Sequence, residues 1–315
     1  MKHTKNPLFY RIDFLPILES VFFIKKQLLF FVLHLFILEI LIGSFSVSFA
    51  FSVHSSTPSI HSHNELKMSS RLSNFLDTHD SITPAMKEKA IQKIIDFNTN
   101  FKITPANEAK TLRRLFFAVQ ETFLKEYVLY SSFFQTIDSG KFDCLTGSVV
   151  YAVLLDEIKQ KGNFNYTYQL VQNPIHVFIK IELSDESEMI FESTSLEKGF
   201  ITTPKGIDFY LQEQTKRVEQ ATQNKILVVE NKNELNNLVT LEDASALLYF
   251  NQGVLFFNQR KFGKSLKMAK NAFFYQKNEA FYDLITLSLQ ELLKNNSISE
   301  KEYKLNVKNI ELVIN

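Results

Sequence analysis

The feature that most constrains this chain is the order of its patterns, helical repeats giving way in its middle to three short strand signals. Between Asn107 and Tyr130 the apolar residues Leu112, Leu115, Phe116, Val119, Phe123 and Tyr127 recur at three- and four-residue steps, which predicts one long helix with these six facing the core. Ser148 to Lys161, with Val149, Val150, Val153, Leu154 and Ile158, suits a buried helix. The pattern then switches to three short strands, Tyr166–Val171, His176–Leu183 and Met189–Glu192. The polar stretch Ser184–Glu188 forms the turn between the last two. Helices followed by strands imply an α+β fold with a mostly antiparallel sheet. A further helix is expected from the Thr83-Pro84 start to about Phe97.

After Ala246 the pattern becomes helix-turn-helix. Tyr249, Gly253, Phe256, Phe262, Ser265, Leu266, Ala269 and Ala272 fall where a tetratricopeptide unit places its packing residues, and Glu279–Leu293 follows as a partner helix. An ordinary helical hairpin closing the main domain fits equally well.

Composition narrows the function. With 315 residues and 45% hydrophobic content the chain can build about two domains at roughly 150 residues each. Thirty-five Lys and Arg against 34 Asp and Glu leave a net charge of +1, and no basic cluster is interleaved with stacking aromatics, so nucleic acid is not expected as a partner. Eight scattered glycines provide neither GxGxxG nor GxxxxGK, which removes the usual nucleotide cradles and leaves no cofactor implied. One cysteine excludes an intrachain disulfide, a CxxC motif and a multi-thiolate zinc site. No HExxH is present, and His54, His61 and His63 fall in a linker-like tract, so no metal is expected.

The N-terminus reads as membrane-directed. Gln27 to Val53 lacks Lys and Arg, and Leu28–Ile42 is broken only by His34 and Glu39. Lys2, Lys5, Arg11, Lys25 and Lys26 precede it, which keeps that end inside and sends the rest outward. Ser48-Phe49-Ala50 also fits a cleavage site, so both a signal peptide and a retained anchor stay open for residues 1–51. The organisation expected is then a linker over 52–71, an α+β domain over 72–240 and a helical region over 241–315, the folded part being extracytoplasmic.

Within the α+β region, Cys144 would stand at the N-terminus of the helix that continues through Lys161, where the helix dipole favours a thiolate. His176 opens a strand 32 residues later, and Glu192 follows after an even spacing of 16, which puts both on one face of a hairpin. A turn centred near residue 186 would leave them offset along the strands, so a bulge or twist is expected. Taken singly, Cys144 reads as a small core hydrophobe, His176 as a satisfied polar residue and Glu192 as solvated. Their order and setting together suggest a nucleophile, a base and an orienting acid.

These residues resemble the transglutaminase-like cysteine enzymes of the papain-like superfamily. Phe142-Asp143-Cys144-Leu145-Thr146 is similar to the family's nucleophile motif, Ile175-His176-Val177-Phe178-Ile179 to its histidine strand, and Ile190-Phe191-Glu192-Ser193-Thr194 to its acid motif, with Gly199-Phe200 beyond. The match spans about residues 110–205 and departs from the family in having Glu where Asp is commoner. The resemblance implies a papain-like core and acyl transfer from a peptide or protein amide through a thioester on Cys144. His176 would move the proton, and the Cys144 amide together with Gln135, Tyr130 or Tyr127 would hold the oxyanion. The alternative is an inactive protein of that fold that binds a protein partner at the envelope through its helical region.

Overall fold

The computed structural model describes residues 61–223 and 237–314. The candidate export segment, the linker residues 52–60 and His54 lie outside them. Among the described residues no helix is long and apolar enough to cross a membrane.

Three helices open the fold: α1 (His61–Leu76), α2 (Pro84–Asn100) and α3 (Glu108–Phe123). The first begins inside the stretch whose Ser/His/Asn composition suggested linker up to residue 71. Met68, Leu72, Phe75 and Leu76 share one face there, and their burial outweighs the polar composition. Thr83 caps α2 by accepting from Met86 N–H, and Asn107 caps α3 by accepting from Lys110 N–H.

The third helix stops at Phe123, seven residues short of the periodicity. The chain is pulled away by backbone bonds from Lys125 and Glu126 N–H to the Gly140 carbonyl at 2.8 and 3.1 Å. There β1 (Glu126–Tyr127) pairs in parallel with β2 (Lys141–Phe142). Leu112, Leu115, Phe116, Val119 and Phe123 are buried as expected, but Tyr127, beyond the helix end, is 51% exposed. Between the two short strands lies α4 (Phe133–Ser139), ended by Gly140 at φ +77°, a left-handed conformation that glycine adopts without strain.

The central helix α5 (Cys144–Gly162) is apolar on nearly every side and is buried accordingly. A five-stranded antiparallel sheet packs on it, in the order β6 (Phe200–Ile201), β5 (Glu188–Phe191), β4 (His176–Glu182), β3 (Thr167–Asn173), β7 (Asn237–Val239). Val177, Ile179 and Ile181 of β4 join the main core. Alternation sends Phe178 to the other face, where it forms a second small core with Val171, Ile190 and Ile207 under α6 (Pro204–Gln223). The molecule is thus α+β, with one antiparallel sheet.

Four helices complete the chain: α7 (Ala244–Asn258), α8 (Phe262–Tyr275), α9 (Glu279–Lys294) and α10 (Glu300–Ile314). Gly253 lets α7 approach α9, since a Cβ there would stand 2.9 Å from Leu284 Cδ2. The expected boundary at 240 falls between elements, yet Ala244, Leu247, Leu248 and Tyr249 belong to the same buried cluster as α1 and α5. Arg71 reinforces the junction by donating to Asp156 at 2.7 Å and to Glu242 at 3.2 Å.

Candidate active site

Cys144 is the first residue of α5, so its own N–H has no acceptor within the helix. Asp143 is the N-cap: its carboxylate accepts from Thr146 N–H at 2.8 Å, and Thr146 Oγ1 in turn accepts from Asp143 N–H at 2.9 Å. This reciprocal box fixes the turn that presents the half-exposed thiol. Asp143 itself is buried, and desolvation raises its carboxyl to about 6 against the hydrogen bonds from Thr146, Leu145 and Asn251.

A tight turn delivers the imidazole. Asn173 pairs with His176 across the β3–β4 hairpin, and its Oδ1 accepts from Ile175 N–H at 3.0 Å, closing the loop around Pro174. Ser148 Oγ donates to the Val177 carbonyl at 3.2 Å, tying the start of β4 to the first turns of α5. Cys144 and His176 are electrostatically coupled as a result, Cys144 acting to raise the imidazole.

His176 Nε2 donates to Glu192 Oε2 at 2.6 Å, which leaves Nδ1 for the thiol. The strand register explains the contact without a bulge. Ile179 pairs with Phe191, so Glu192 falls level with Phe178, two residues along from His176 on the same face. Such diagonal neighbours lie roughly 7–8 Å apart, and the glutamate side chain is long enough to cross that offset.

Glu192 is buried rather than solvated, and three further donors hold it. Thr194 N–H and Oγ1 give to Oε1 at 2.8 and 2.6 Å, and the Tyr210 hydroxyl on α6 gives to Oε2. Burial alone would raise Glu192, but the hydrogen bond and charge of His176, with Thr194 and Tyr210, bring it down to about 2. Burial alone would likewise lower His176, yet hydrogen bonds to Cys144 and Glu192 and the charges of both carry it up to about 10. Both shifts favour the ionised pair, an imidazolium against the Glu192 carboxylate.

Of the oxyanion candidates, Tyr127 and Tyr130 are within electrostatic reach of Cys144. Both hydroxyls are raised, first by burial and then by the charges of Cys144 and Asp143. Gln135 is tied to the start of α4 through its carbonyl oxygen. Its Oε1 accepts from Ser132 N–H at 2.9 Å and from Ser132 Oγ at 3.2 Å in the capping box of α4, bonds that do not use its Nε2 donors.

Sequence reasoning missed Tyr210 and Thr194. The stretch from Gln212 reads as a polar exposed helix, whereas α6 begins eight residues earlier and lays Ile207 and Tyr210 against Phe178, with ring centroids of Tyr210 and Phe178 at 5.1 Å. The i, i+3 pair Ile207/Tyr210 was the available signal. It also missed the reach of the helical region: Asn251 Nδ2 donates to Asp143 Oδ2 at 3.5 Å, and Gln252 Nε2 to the Tyr130 carbonyl at 2.8 Å. His79 bonds Ser132 Oγ through Nδ1 at 2.9 Å and serves packing. Among the described residues no three His, Cys, Asp or Glu side chains gather as metal ligands.

No protein-family model matches the sequence, and no curated protein matches it significantly. Among solved structures it is similar to menin, in the crystal structure that reveals menin's binding site for the Mixed Lineage Leukemia (MLL) protein. Identity is 10% and the TM-score 0.37, over 73% of this chain and 59% of menin, so the chain spans less than two thirds of that structure's length.

Proposed function

We propose that this protein is a transglutaminase-like cysteine enzyme with a papain-like core, acting by acyl transfer on peptide or protein amides outside the cytoplasm. The observation that carries the reading is the His176–Glu192 hydrogen bond at 2.6 Å beside a cysteine that opens a capped helix and is coupled to that imidazole. The chemistry follows from those positions. The Cys144 sulfur adds to the amide carbonyl carbon, and the carbonyl electron pair moves onto oxygen. The Cys144 N–H, with Tyr127 or Tyr130, faces that oxyanion. Collapse breaks the C–N bond, and the His176 Nδ1 proton goes to the leaving amine, giving a thioester. His176, now neutral, takes a proton from water or an amine as it attacks the thioester, and the cysteine sulfur leaves.

The export reading rests on the apolar run and flanking charges of residues 1–51 alone. A second reading, an inactive envelope-binding module, is favoured by Phe274 on α8, 82% exposed beside the half-exposed Tyr275.

An activated ester separates the two because it bypasses substrate specificity. With p-nitrophenyl acetate, the expected outcome is a burst of p-nitrophenol and one acetyl group on Cys144 by mass spectrometry. No acetylation is expected in Cys144→Ala, and deacylation in His176→Ala should slow by about a hundredfold or more. An unacylated wild type would leave the binding-module reading in its place.

A further inference from the structure

A groove of about 790 Å³ runs between α2 and α3, a volume within the usual range of small-molecule sites. It shares no residue with the cysteine site. Its walls include the rings of Phe97, Phe101 and Phe117, with Phe101 buried and Phe117 40% exposed. Around this apolar surface stand five cations, Lys93, Lys102, Lys110, Arg113 and Arg114, against two carboxylates, Asp96 and Glu121.

The cations differ in how they are held. Lys93 is spent on the end of α4, donating to the Ile137 carbonyl at 2.6 Å. The other four form no ion pair with any described carboxylate. Both guanidinium groups nonetheless rest over aromatic faces. Arg113 lies over Phe117 at 5.3 Å and over Phe200 at 5.6 Å, and Arg114 lies over Phe101 at 5.8 Å. The two guanidinium forks thus stand beside an apolar wall with no anion to receive them among the described residues, Arg114 giving one N–H to Thr104 Oγ1 at 3.4 Å. Lys110 and Arg113 also line an adjoining cavity of about 320 Å³ with Phe200 and Met189, which extends the same surface.

We propose that this groove binds a small amphipathic anion, a carboxylate, sulfonate or phosphate carried on an aromatic or similarly compact apolar body. The charged head would meet Arg113, Arg114 and Lys110, and the body would cover Phe117 and Phe101. Aromatic rings set among the cations suit a discrete molecule with an apolar body better than a lipid surface, for which clustered cations alone suffice.

The test is calorimetric titration of the full chain with 1-naphthyl phosphate, inorganic phosphate and 1-naphthol. The proposal expects saturable one-to-one binding of naphthyl phosphate, with phosphate alone and naphthol alone each weaker by about tenfold or more. Arg113→Gln/Arg114→Gln should lose about tenfold or more, and Lys110→Gln, a single exposed site that leaves both arginines in place, about threefold. Lys216→Gln, a surface cation elsewhere, should change binding by less than about twofold. Equal affinity for inorganic phosphate would overturn the proposal by showing a bare charge patch. So would unchanged binding in both groove variants, absence of naphthyl phosphate binding, or arginine-dependent capture on phosphatidylglycerol vesicles without it.

Discussion

At the scale of single residues, the His176–Glu192 pair couples the site to pH. In the unfolded chain histidine titrates near 6.5 and glutamate near 4.3. In the fold His176 is raised to about 10, so its stabilisation is complete below about 6.5 and is lost as pH rises through about 10. Glu192 is lowered to about 2, so its contribution is complete above about 4.3 and is lost as pH falls toward about 2. Asp143, raised to about 6, acts with the opposite sign: its stabilisation belongs to low pH and is lost as pH rises through about 6. Comparing wild type with Glu192→Gln removes that common background. The difference in Tm, followed by circular dichroism, is expected to be greatest between about pH 4.5 and 6.5 and to shrink on both sides. A difference independent of pH would mean that the pair is not ionised in the fold. Cys144, His176 and Glu192 were legible because chemistry, chain order and even spacing coincide in a chain with one cysteine. Tyr210 was not, because a tyrosine on a polar helix carries no mark of the carboxylate it faces across the sheet.

At the scale of elements, Gly147 sets how closely the segment after β5 approaches α5, and Gly199 how tightly the loop after Glu192 closes. A Cβ on Gly147 would stand 2.8 Å from Ser193 Cβ, and one on Gly199 would stand 2.2 Å from the Glu192 carbonyl oxygen and 2.3 Å from that of Ser195. The Gly199 carbonyl also accepts from Glu192 N–H at 2.9 Å, so the 193–198 loop closes on the acid itself. Gly199→Ala must therefore move backbone. We expect a loss of roughly 1–3 kcal/mol in urea unfolding, together with a fall in Cys144 acylation as Glu192 shifts from His176. Gly147→Ala gains helix propensity, about 1 kcal/mol, and offsets part of its own clash. Stability unaltered in Gly199→Ala would show that the loop yields freely. The hairpin β3–β4–β5 could be read from alternation because one face meets the core. The end of α3 could not, since Tyr127 keeps the helical period by coincidence while backbone bonds to Gly140 decide its place. The opening turns of α1 were hidden by polar residues whose helix is held by burial further along.

At the scale of the whole molecule, the helical region is part of the fold that supports the site. Tyr249 and Leu248 share a core with α1 and α5, Gln252 holds the Tyr130 main chain at its left-handed φ of 61°, and Asn251 reaches the cap of the nucleophile helix. A chain ended after Thr240 exposes that core surface and is expected to lose cooperative unfolding, whereas the full chain should unfold in one transition by denaturant titration. A truncated form that unfolds cooperatively would mark the helices as a separate domain. The tetratricopeptide-like spacing predicted the hairpin α7–α8, but nothing in the sequence announces contacts made more than a hundred residues away. The central claim is that His176 and the start of α5 activate Cys144, and the most direct measurement is the rate of its alkylation by iodoacetamide against pH. At about pH 6.5 the full chain should react about tenfold or more faster than His176→Ala, with the gap closing near pH 9, where an ordinary exposed thiol is itself ionised. Superimposable profiles for the two proteins, or a wild-type cysteine that does not react, would contradict it.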